Sequence, residues 1–88
     1  MSYQLERERE FITFQQEGLT VSEYEARFSI LSRYAVDLVN TYEKRCQRFK
    51  SGLITPIATR LMGYREVSYI DLVDTARKIE NDMEDMKV

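Results

Sequence analysis

Thr20-Val21-Ser22-Glu23-Tyr24-Glu25-Ala26-Arg27-Phe28-Ser29-Ile30-Leu31-Ser32-Arg33-Tyr34-Ala35 is the stretch that decides the fold class. Thr20 and Glu23 stand at capping-box spacing: the threonine oxygen accepts from a free backbone amide, and the glutamate reaches back. From there Val21, Tyr24, Phe28, Leu31 and Ala35 recur at steps of three and four, one stripe of a helix over residues 20–36. Ile30 and Tyr34 widen the stripe. Burying it contributes about 8–12 kcal/mol gross, before chain entropy is subtracted.

The flanking segments carry the same kind of signal. Upstream, Glu6-Arg7-Glu8-Arg9-Glu10 alternates in sign, and opposite charges three apart support a helix weakly. Leu5, Phe11, Ile12 and Phe14 supply its apolar contacts, so a leading helix is predicted within residues 1–16, stopped by Glu17-Gly18. Downstream, Asn40 and Glu43 open a helix over 40–52, with Tyr42, Cys46, Phe49 and Leu53 facing inward. Lys44, Arg45, Arg48 and Lys50 take its outer surface, and Gly52 stops it. Thr55 as cap and Pro56 at the first helical position, where its missing amide costs nothing, begin a short helix over 55–62, with Ile57, Ala58, Leu61 and Met62 as its apolar residues. Ser68 with Asp71 opens the last helix, 68–86, where Leu72, Ala76, Ile79, Met83 and Met86 form a stripe beside Ile70 and Val73, and a frayed end is expected from Asp82 onward. The fold class is all-α: one domain over residues 1–88, a compact bundle of four to five helices.

Composition narrows the chemistry. Eighty-eight residues suit one domain, and 43% hydrophobic content is enough for a core. Three glycines and one proline are too few turn residues for a sandwich or barrel. There is no histidine, which removes a Ser-His-Asp triad and most catalytic zinc sites. Cys46 is the sole cysteine, so no internal disulfide forms, and it reads as an inert buried thiol without a base. Asp82, Glu84 and Asp85 read as an acidic tail rather than a cation site. No nucleophile–base or metal constellation stands out, so an enzyme and a cofactor are not expected. No apolar run approaches bilayer length, and Met1-Ser2-Tyr3-Gln4 is not a signal peptide, so a cytoplasmic protein, or a piece of one, is expected. The net charge of −2 is uneven: −3 over residues 1–39, +5 over 40–65 and −4 over 66–88. A basic middle between acidic ends suits contact with a second copy; four cations without interleaved exposed aromatics are weak grounds for nucleic-acid binding.

The run Phe14-Gln15-Gln16-Glu17-Gly18-Leu19-Thr20-Val21-Ser22-Glu23-Tyr24-Glu25-Ala26-Arg27-Phe28 resembles the Gag pattern of gypsy-type LTR retrotransposons, which reads L-x-Q-G-x-x-S/T-V-x-E-Y-x-x-R/K-F. Phe49-Lys50-Ser51-Gly52-Leu53-Ile54-Thr55-Pro56-Ile57 is similar to that family's F-x-x-G-L-x-x-x-I block. Tyr69 to Glu80, through Asp71-Leu72-Val73 and Ala76, is similar to its closing L-V-x-x-A-x-x-x-E block. Order and spacing agree over about residues 11–80. Glu17 adds one residue to the family's Gln-Gly pair, so either Gln15 or Gln16 fills the glutamine position.

The resemblance implies the C-terminal domain of a retroviral-type capsid protein. Gln16, Gly18, Glu23, Tyr24, Arg27 and Phe28 then correspond to the major homology region, a turn plus helix held by a buried polar network, with Gln16, Glu23 and Arg27 as its candidate members. The implied activity is self-association into dimers and a capsid lattice, with the capsid N-terminal domain of the same polyprotein as a further partner and no role for a membrane. The helix over 40–52 is the implied two-fold contact, with Tyr42, Lys44, Arg45, Arg48 and Phe49 as interface candidates. Lys44, Arg45 and Arg48 facing their own copies would repel, so either Glu43 of the second copy neutralises them or the contact uses other residues such as Tyr42 and Phe49; alternatively, the basic face meets the acidic first or last helix of a neighbour. The competing reading is a domesticated adaptor, similar to Arc or to SCAN domains, that binds other proteins.

Overall fold

Helix formation along this chain follows its caps. The computed structural model describes residues 2–86. Five α-helices run in order: α1, Tyr3–Thr13; α2, Val21–Ser32; α3, Tyr42–Gly52; α4, Thr55–Leu61; and α5, Tyr69–Asp85. A 3-10 turn, Val36–Leu38, joins α2 to α3, and no strand occurs among the described residues. Four helices open on a hydroxyl: Ser2 accepts from the Leu5 amide, Thr20 from Glu23, Thr41 from Lys44 and Ser68 from Asp71. Each satisfies one of the amides that a helix start leaves without a partner.

The core is an aromatic stack wrapped in aliphatics. Val21, Tyr24, Phe28, Leu31 and Ala35 are all buried, as their spacing requires. Phe28 meets Phe11 of α1 at 5.2 Å and Phe49 of α3 edge-on at 5.5 Å. Tyr24 lies between Phe14 and Phe49, at 5.2 and 5.0 Å. Tyr69 at the start of α5 closes the stack against Phe49 and Phe28. Such pairs contribute about 0.5–1.5 kcal/mol each beyond their area. Leu72, Val73, Ala76 and Ile79 of α5, with Ile57 and Leu61 of α4, seal the other side.

Several boundaries and faces differ from the sequence expectations. The leading helix ends at Thr13, not 16, because Phe14 turns extended to stack on Tyr24. Gly18 does not adopt the left-handed conformation; Glu17 does, at φ 47°. The second helix ends at Ser32 rather than 36: the amides of Arg33, Tyr34 and Ala35 reach back three residues instead of four, which tightens the chain into the 3-10 turn. The cap of α3 is Thr41, so no Asn40–Glu43 capping box forms. α4 is capped by the backbone at Ile54, with Thr55 already helical and Pro56 in its first turn. The Asp71 carboxylate accepts from Val67, one residue before the capping position. α5 holds its helix through Asp85, against the expected fraying from Asp82; Lys87 and Val88 lie outside the described residues. Leu5, Ile12, Ile30, Met62, Ile70 and Met86, all read as inward-facing, are exposed. Helical spacing defines a stripe, but the width of the stripe that is covered depends on which neighbours reach it.

Candidate functional site

Gln16 sits in the turn between α1 and α2 and is 1% exposed. An amide side chain at that depth must find partners or cost several kcal/mol. Its Nε2 donates to the Leu19 carbonyl at 2.9 Å, and its Oε1 accepts from the Ile54 amide at 3.1 Å. Its own backbone amide donates to the Gly52 carbonyl at 2.8 Å. One residue therefore closes the 16–19 turn and fastens it to the junction of α3 and α4. Gln15 is exposed. The structure thus assigns the buried glutamine position to Gln16.

Tyr24 supplies the second tie. Its hydroxyl donates to the Phe49 carbonyl at 3.0 Å, in the last turn of α3, where helix carbonyls run out of intrahelical partners. Burial pushes the Tyr24 phenol well above its ordinary range, so it acts as a neutral donor. Glu80 of α5 supplies a third tie, accepting from the Val21 amide at 2.9 Å in the first turn of α2. No family model, curated protein or solved structure matches this chain.

Three other residues of the segment that resembles the major homology region lie outside these ties. Glu23 sits at the surface as half of a complete capping box: the Thr20 amide donates to its carboxylate at 2.9 Å. That backbone hydrogen bond, then the Thr20 hydroxyl, and Arg27 nearby hold its carboxyl below the ordinary value. Arg27 is exposed, and no hydrogen bond joins it to Gln16 or Glu23. The expected partly buried Gln16–Glu23–Arg27 network does not form; Gln16, Tyr24 and Glu80 instead make three separate ties to backbone groups. Glu23 and Arg27 occupy the outer side of α2, one turn apart, while the inner side at that level is filled by Tyr24 and Phe28. Gly18 is exposed, and a Cβ there would meet nothing within 4 Å.

The α3 residues divide between core, internal ties and surface. Phe49, expected at the two-fold contact, has no exposed surface: it is a core residue packed between Tyr24, Phe28 and Tyr69. Arg45 folds back over the aromatic stack, 4.5 Å from the Tyr69 ring centroid and 5.3 Å from that of Phe28. Its guanidinium donates to Ser29 and Ser32 of α2, at 3.3 and 3.4 Å. Ser29 and Tyr69 both donate to the Glu25 carboxylate, at 2.6 and 3.1 Å. This links α2, α3 and α5 in a second polar cluster. Desolvation, with the adjacent Glu25 carboxylate second, raises the Tyr69 phenol well above its ordinary range. Tyr42 donates to the Glu66 carbonyl, and Lys50 pairs with the Glu66 carboxylate, so α3 also anchors the loop before α5. Lys44 reaches the Asp37 carbonyl and the Asn40 side chain at 3.3 and 3.2 Å. Lys44 and Arg48, with Asp37, Leu38, Gln47 and Ser51, line a shallow depression of about 360 Å³. Burial raises the Cys46 thiol above its usual range, in keeping with the inert reading.

The second polar cluster escaped the sequence reading. Its trace is the spacing Glu25, Ser29, Ser32 beside Phe28, a polar edge to an apolar stripe. Nothing in the sequence links that edge to Arg45 or Tyr69, because the contacts span 16 and 44 residues. Glu80 has no local signal for its role either, since its partner, the Val21 amide, lies 59 residues away. Among the described residues no cluster of His, Cys, Asp and Glu is arranged to hold a metal, and no helix is long and apolar enough to cross a membrane.

Proposed function

We propose that this chain is an assembly domain of a retrotransposon-type Gag protein, the C-terminal part of its capsid, and that its activity is self-association into dimers and a lattice. The observation that carries the reading is the buried Gln16. The segment that resembles the Gag pattern forms a turn plus helix, the element the resemblance implies, and its buried glutamine ties the α1–α2 turn to the α3–α4 junction, while Glu23 and Arg27 take no part in that tie. Its partners are then further copies of itself and the capsid N-terminal domain of the same polyprotein, in a cytoplasmic particle.

The α3 cations support a protein partner better than a nucleic acid. Arg45 is folded over Tyr69 and Lys50 is paired with Glu66, which leaves Lys44 and Arg48 beside the depression. Two cations give little of the counterion release that drives phosphate binding. Joints in such a lattice are individually weak and gain strength through number.

Sedimentation equilibrium of the 88-residue chain over a concentration series tests the reading. The expected result is a weight-average mass that rises above the 10.5 kDa monomer as the concentration approaches the millimolar range. A mass fixed at the monomer value throughout overturns it.

A further inference from the structure

Between the C-terminal ends of α4 and α5 runs a shallow groove of about 340 Å³, lined by Arg60, Tyr64, Ile79, Asp82 and Met86. Ile79 is buried and forms its floor, while Tyr64 is 56% and Met86 75% exposed. Large apolar side chains held in water beside an apolar floor favour removal from solvent. The groove is also polar in an ordered way. Arg60 contributes a cation from α4 and Asp82 an anion from α5, and among the described residues neither side chain is in an ion pair.

An unpaired cation and an unpaired anion at one apolar groove are complementary to the same groove turned through a two-fold axis. In such an isologous contact, Arg60 of each copy faces Asp82 of the other, so both charges on both sides are matched. A uniformly acidic or basic partner would match one and oppose the other. The α3 face has the opposite property, since Lys44 and Arg48 would meet their own like charges. We propose that this α4–α5 groove is the surface through which two copies of the chain pair, with Tyr64 and Met86 packed at its centre and the Arg60–Asp82 pairs at its edges. The proposal rests on the self-association reading above and names its surface.

Charge reversal tests it. Arg60 and Asp82 are exposed, so Arg60→Asp and Asp82→Arg are expected to retain the helical far-ultraviolet spectrum, and each is compared with the parent chain by sedimentation equilibrium. Each single variant is expected to weaken self-association by about tenfold or more, from two opposed pairs per dimer. An equimolar mixture of the two variants is expected to restore it, because every pair across the mixed dimer is then of opposite sign. The doubly reversed chain is expected to do the same. Single variants that associate like the parent chain overturn the groove while leaving self-association standing. Weakened variants that do not complement each other in the mixture overturn the two-fold pairing. A parent chain that stays monomeric overturns both.

Discussion

The hydroxyl of Tyr24 occupies the space that a side chain at position 52 would need: a Cβ on Gly52 would lie 2.0 Å from it. Gly52 ends α3 without a left-handed backbone, so this glycine is required for closeness rather than for conformation. Gly52→Ala is expected to destabilise the domain by about 1–3 kcal/mol through overpacking. Tyr24→Phe removes the nearest clashing atom and the hydrogen bond to Phe49, for about 1 kcal/mol alone. In the double variant the two losses should be less than additive, read from urea midpoints across a double-mutant cycle. Strict additivity would place the close approach elsewhere.

Gln16 and Gln15 are adjacent in sequence and opposite in environment. Gln16→Ala leaves the Ile54 amide and the Leu19 carbonyl without their partner and is expected to cost about 1–3 kcal/mol. Gln15→Ala should lie within about 0.5 kcal/mol of the parent chain. Chemical denaturation of the two variants side by side decides which glutamine holds the turn.

The left-handed position of the α1–α2 turn falls on Glu17, one residue before the glycine. A non-glycine residue there carries strain of about 1–3 kcal/mol. Glu17→Gly relieves it at an entropic cost and should raise stability by up to about 1 kcal/mol. Gly18→Ala, where a Cβ meets open space, should add about 0.4–1 kcal/mol by restricting the unfolded chain. The pair of exchanges should therefore raise the melting temperature, and calorimetry measures it.

Arg45 and Arg48 lie one turn apart in α3 and are not equivalent. Arg45→Ala loses the face of Tyr69 and the two serine hydroxyls, for about 1–2 kcal/mol. Arg48→Ala is expected within about 0.5 kcal/mol of the parent chain. Urea titration at low and high salt should show the Arg45 deficit persisting, since its contacts are partly buried.

Glu23 makes the start of α2 sensitive to acid. Its folded value is depressed below the ordinary 4.5 by the Thr20 backbone hydrogen bond first. Its contribution is therefore present above 4.5 and lost as the pH falls through the depressed value. Glu23→Gln keeps an oxygen for the Thr20 amide but removes the charge. The difference in stability between the parent chain and this variant should shrink on acidification, followed by urea midpoints from neutral pH downward; a constant difference would remove Glu23 from the acid response.

Local signals and tertiary contacts contributed unequally to what could be read in advance. Thr20 and Ser68 act at helix starts within one turn of their partners, so residue type and spacing were sufficient to place them. Phe28 and Phe49 were legible as core because periodic burial repeats along one helix. Spacing places Tyr42 on the inner stripe of α3, yet it is 43% exposed, with its hydroxyl donating to the Glu66 carbonyl of a distant loop.

The amino-acid sequence by itself determined that the chain is helical, where α2 and α5 begin, and which stripe of α2 turns inward. Those outcomes depend on hydrogen bonds and apolar periodicity within a few residues. Only the tertiary structure decided that Gln16 rather than Gln15 is buried, that Arg45 folds over Tyr69, that Gly52 yields its space to Tyr24, and that α4 and α5 leave a groove with Arg60 and Asp82 along it. Each of these depends on where segments distant in sequence meet, and one-dimensional spacing does not encode the angle at which two helices cross.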